Sequence, residues 1–130
     1  MADELLIKKS LVYNGKEASN GAPGFTIAEK SWSIDQDGLD YQRGTQSINS
    51  TTAEAIGSQG DIGTYGWCRV AHLSSAGTVR IGLSAQTSGQ MAMMLEPGDP
   101  PAEFRATAQP YALVASASNS VLIEYAFFEK

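Results

Sequence analysis

Residues 66–130 form a succession of short apolar runs in period two, each closed by turn residues, and this pattern points the chain to an all-β fold. Val79, Ile81 and Leu83 alternate with Arg80, Gly82 and Ser84, and Val121, Ile123, Tyr125 and Phe127 alternate with Leu122, Glu124 and Ala126. A strand sends successive side chains to opposite faces, so such alternation predicts strands with one buried face. The runs GWCRVAHLS, TVRIGLSA, MAMMLE, AEFRAT, YALVAS and VLIEYAFFE are separated by Ser-Ala-Gly, Thr-Ser-Gly, Pro-Gly-Asp-Pro-Pro, Gln-Pro and Ser-Asn-Ser. Those separators have the chemistry turns require. No segment has the helical period of a crossover, so parallel α/β folds are disfavoured. The expectation is an antiparallel β-sandwich or a jelly-roll-like barrel of about eight or nine strands.

The first half of the chain is less regular. Residues 1–24 contain Leu5, Leu6, Ile7, Leu11 and Val12 ahead of the polar stretch NGKEASNGAPG, and read as an N-terminal arm or leader. The β-sandwich domain is expected over 25–130. Within it, FTIAEKSWSID and LDYQRGTQSI flank Asp37-Gly38, a hairpin signal. STTAEAI reads either as one capped helical turn or as continued strand. Gly57, Gly60, Gly63 and Gly66 then recur every third residue. No Gly-Lys-Ser/Thr follows, so this is not a phosphate loop, and a long loop with several positive φ values is expected.

At 130 residues the chain is one domain's length and needs no disulfide or metal to hold a core. The single Cys68 cannot make an intramolecular bridge and reads as a small buried apolar residue beside Trp67. A formal charge of -5, with Lys8-Lys9 the only adjacent basic pair, argues against nucleic acid as the main ligand. No apolar run has the length of a membrane span. MADELLIKKS carries acids where a secretory signal carries positive charge, so use without export is expected.

Catalytic patterns are sparse. The sequence has no Gly-x-Ser-x-Gly elbow, no His-Glu-x-x-His and no metal-spaced cysteines. His72, the one histidine, reads as a structural strand residue. Asp35, Asp37 and Asp40 lack EF-hand spacing and read as turn acids, and Glu96, Asp99 and Glu103 flank a Pro-Gly turn. No enzyme activity and no cofactor are expected. Trp32, Tyr65, Trp67, Met91, Met93 and Met94 are the candidate partner contacts, because aromatic residues and Met are favoured at interface cores. Core packing competes with that role at each, and Trp67, directly after the glycine loop, is the first choice.

The order Gly-Trp-Cys-Arg-Val, Thr-Val-Arg-Ile-Gly, Met-Leu-Glu-Pro-Gly-Asp, Glu-Phe-Arg, Tyr-Ala-Leu-Val-Ala, Val-Leu-Ile-Glu-Tyr resembles small structural proteins of tailed bacteriophages. The matching positions are Gly66-Trp67, 79–82, 95–99, Phe104-Arg105 and 122–129, and the order of parts is similar from Phe25 onward. Pro100-Pro101 lengthens the usual turn, and residues before Phe25 have no match. The resemblance implies a capsid decoration (cement) protein, a homotrimer on the outer capsid surface of the virion, assembled in the host cytoplasm and partnered by the major capsid protein. A host-recognition or fibre-base module, and a tail or connector component, are the alternatives.

Overall fold

The computed structural model describes residues 5–13, 25–34, 40–58 and 62–130. The chain is all-β and separates into two compact units, Met1–Gln36 and Asp37–Lys130.

The first unit is built on two antiparallel strands, β1 (Leu5–Tyr13) and β2 (Phe25–Ile34). Ile7 pairs with Trp32 and Lys9 with Lys30, and after a register shift Leu11 pairs with Ile27. Ser10 alone on β1 therefore opposes Ala28 and Glu29 on β2. This bulge keeps Ile7, Trp32, Leu11 and Ile27 on one face, where an unbroken alternation would have sent Ile27 to the opposite side.

The second unit is a sandwich of two four-stranded antiparallel sheets. One contains β3 (Tyr41–Ile48), β10 (Val121–Glu129), β5 (Tyr65–His72) and β8 (Ala102–Arg105), in that order. The other contains β4 (Glu54–Ala55), β9 (Tyr111–Val114), β6 (Val79–Gly82) and β7 (Met93–Leu95). Ile48, Cys68, Val70, Ile123 and Phe127 from the first sheet meet Val79, Ile81, Leu95, Ala112 and Val114 from the second in one buried core. The alternation seen in the sequence at 79–81 and 121–127 is this inward face. Segment 84–92 crosses the outer side of the second sheet, where Met91 packs on Gly82 and Leu113 is fully buried.

Asp37-Gly38, the expected hairpin turn, falls at the boundary of the two units; β2 pairs with β1, and β3 pairs with β10 along its whole length. Asp37 and Gly38 themselves lie outside the described residues. The strand at Phe25–Ile34 lies in the first unit, Met1–Gln36, with β1 as its partner. In STTAEAI, the open choice resolves to a strand, since Glu54 pairs with Ala112 and Ala55 with Tyr111.

The glycine-rich loop also uses its glycines differently from the expectation. Of Gly57, Gly63 and Gly66, only Gly57 has positive φ, at 80°. Gly66 serves close approach, because a Cβ there would lie 3.1 Å from the backbone of Lys130 and from the Phe128 carbonyl. Gly60 lies outside the described residues.

Candidate partner-binding face

The outer face of the first sheet carries an ordered row of aromatic and basic side chains. Tyr41 pairs with Phe128 across β3 and β10, and Trp67 pairs with Arg105 across β5 and β8. Between them, Phe127 pairs with Cys68 and Glu129 with Tyr65, so Gly66 and Trp67 together oppose Phe128. The row Tyr41, Phe128, Trp67, Arg105 thus runs across all four strands. Strands lie about 4.8 Å apart, giving a stripe roughly 14 Å long. Tyr41 is 65% exposed, Arg105 is exposed, and Phe128 and Trp67 are half-buried.

The next row, Arg43, Ala126, Arg69, Glu103, is set by the same registers. Arg69 donates to Glu124 at 3.2 Å and sits 3.8 Å from Glu103. These are partly exposed pairs, worth little to stability, but they neutralise Arg69 and fix its guanidinium. Arg43 and Arg105 are exposed, and their side chains make no hydrogen bond or ion pair among the described residues. On an acidic chain, this face therefore presents aromatic surface flanked by two cations available to a partner.

The bulge at Gly66-Trp67 sets which aromatic faces outward. Tyr65 and Trp67 have the same parity in the sequence, yet Tyr65 is turned into the core, 8% exposed, with its ring 5.7 Å from Phe127 in edge-to-face geometry. Tyr65 is thereby corrected from a contact residue to a core residue. Met91 is corrected likewise: it is 2% exposed beneath its own segment, where its carbonyl accepts from Arg80. Met93 is half-buried against the core. Met94, 46% exposed, lies on β7, in the other sheet from Trp67. Trp32, 50% exposed, belongs to the β1–β2 hairpin. Of the six candidates, the outer row therefore contains Trp67 alone. Tyr41, Phe128 and Arg105 complete it and were missed. Their signal was present only as outward parity at the two ends of strands far apart in sequence.

The remaining reactive groups have structural surroundings. Burial pushes the Cys68 thiol up to about 12, which keeps it protonated and unreactive near neutral pH. His72 is buried, and its Nε2 lies 2.9 Å from the Gly77 carbonyl. A carbonyl can only accept, so Nε2 carries the proton and ties the strand to the following turn. Asp99 accepts from the Glu96 N–H at 2.8 Å and closes the Pro-Gly turn. Among the described residues no group of three His, Cys, Asp or Glu gathers into a metal-holding cluster.

No family model, no curated protein and no solved structure matches the chain.

Proposed function

We propose that this chain is a capsid decoration protein of a tailed bacteriophage, a homotrimer that binds the major capsid protein on the outer shell and ties neighbouring capsomers together. The observation that carries the reading is the Tyr41, Phe128, Trp67, Arg105 row with Arg43 beside it. Interfaces concentrate their energy in aromatic and arginine anchors surrounded by residues that exclude water. A four-stranded sheet face suits a protein surface better than a small substrate, which calls for a concave site. The matching patch on the capsid is apolar and carries carboxylates opposite Arg43 and Arg105. A clamp of this kind opposes the outward load of packaged DNA. Particles without the protein are expected to lose their DNA at lower temperature or lower salt than decorated ones. Equal survival of the two would contradict the clamp.

The same row supports a second reading, a host-recognition module in which the aromatic rings stack on sugars. An array of host-surface glycans separates the two. Binding that is lost on replacing Trp67 would favour recognition, and no binding at high protein concentration would leave the capsid reading alone.

A further inference from the structure

We infer that Glu129 is the positioning residue of the partner-binding row: its carboxylate bridges the backbone at Asp40 and Gly63 and so holds Tyr41 and Trp67 in place beside Phe128. The inference deepens the proposed function and rests on that reading for the docking role of the row.

The row lies where the sheet runs out. Tyr41 is the first residue of β3, and its pairing with Phe128 is the last rung between β3 and β10. On the other side of β10, Gly66 and Trp67 share Phe128 at the register shift. Terminal and irregular rungs open at the least cost in free energy. Aromatic side chains carried on them need a further tie to stay in one place.

Glu129 supplies it. Alternation along β10 sends Glu129 to the same side as Phe127, which is fully buried, so the acid stands at the mouth of the core and is half-buried. A carboxylate at an inward position is costly unless hydrogen bonds satisfy it. Oε2 accepts from the Asp40 N–H at 3.3 Å, and Oε1 accepts from the Gly63 N–H at 3.2 Å. The Glu129 N–H donates to the Asp40 carbonyl at 2.9 Å, and the Lys130 N–H donates to the Thr64 carbonyl at the same distance. One side chain thus ties together the residue before Tyr41, the segment that leads into β5 and the residue after Phe128.

The chemistry calls for a carboxylate and a glycine. An ionised carboxylate has acceptors only, so each oxygen can face an N–H, and its charge strengthens both bonds. Glutamine has the same shape but turns donors toward one of those N–H groups. Gly63, one of the glycines recurring every third residue, serves the approach: a Cβ there would lie 2.9 Å from Oε1. Its φ is not positive, so alanine at this position displaces the carboxylate without straining the backbone. A surface held in place before its partner arrives loses less freedom on docking. With the tie opened, only the fraction of molecules whose row is in place can bind, and affinity falls by that fraction.

Glu129→Gln separates positioning from packing, because it keeps the size and loses one acceptor. In the full chain, amide exchange followed by NMR should quicken about tenfold at Asp40 and Gly63 and stay unchanged at Val70 and Ile123 in the core. The Tyr41 ring and Trp67 indole signals should be displaced. Gly63→Ala should give the same pattern with Glu129 intact, and it decides the matter if Glu129→Gln does not fold. On expanded, undecorated capsids of the parent particle, each variant should bind about tenfold more weakly than the native chain. The double variant should bind no more weakly than either, because both remove one tie. Unchanged exchange at Asp40 and Gly63, undisplaced Tyr41 and Trp67 signals, or a glutamine variant that binds like the native chain overturns the inference. A native chain that binds no capsid overturns the decoration reading, and the exchange and ring signals then decide the positioning alone.

Discussion

Cys68 has no exposed surface on the core face of β5, and burial raises its thiol from 9.0 to about 12. In the unfolded chain the thiol ionises near 9.0, so the unfolded state gains relative stability from there upward, while the folded state keeps its proton until about 12. The stabilisation is therefore complete below the unfolded value and is lost as pH rises through this window. Urea unfolding of the native chain and of Cys68→Ala should show a gap between them that narrows from pH 9 to pH 12; a constant gap would contradict the assignment. Gly66 has a different constraint. A Cβ would press on the Lys130 and Phe128 backbones at 3.1 Å, so Gly66→Ala should cost about 1–3 kcal/mol by the same method. Burial of Cys68 was legible in the sequence, because a lone cysteine inside an apolar run has little else to be. The opposite fates of Tyr65 and Trp67 were not. They follow from a bulge that exists because Gly66 lets the C-terminal backbone approach, and that approach is a long-range fact.

Among the elements, the inward face of β10 was readable residue by residue, since Val121, Ile123 and Phe127 alternate cleanly and all three are fully buried. Phe127 contacts the rings of Tyr65 and Tyr125, with centroids at 5.7 and 5.2 Å, so Phe127→Ala should destabilise by about 3–5 kcal/mol. The phase break in β2 was equally present in the sequence: Ile27 and Trp32 have opposite parity. Reading it as a bulge needed the partner strand, β1. β3 was hardest to place because its inward positions are partly polar. Gln46 donates to the Ala55 carbonyl at 3.0 Å and accepts from the Gly57 N–H at 2.9 Å, and Gln42 bonds Ser58 in both directions. These amides substitute for a backbone ladder and hold segment 55–58 to the sheet. Gln46→Ala leaves two part-buried backbone groups without their partner and should cost about 1–3 kcal/mol in denaturant titration.

At the scale of the whole molecule, sequence periodicity led to the β-sandwich, but the candidate face is a product of register. Tyr41, Trp67, Arg105 and Phe128 become neighbours only when β3, β10, β5 and β8 align as they do. A row built this way should act as a unit. Tyr41→Ala, at a 65% exposed position, should leave stability within about 0.5 kcal/mol while weakening partner binding roughly 30-fold, the size of an interface hot spot. Arg43→Glu should weaken binding further at low salt than at high salt, because an exposed charge is screened. The most direct measurement is co-sedimentation of the purified protein with expanded, undecorated capsids of the parent particle, repeated with Tyr41→Ala. Saturable binding at a fixed ratio to the major capsid protein, weakened roughly 30-fold in the variant, is the result expected of a decoration protein that docks through this face. Absence of binding by the folded native chain would contradict decoration, and undiminished binding by the variant would contradict the face.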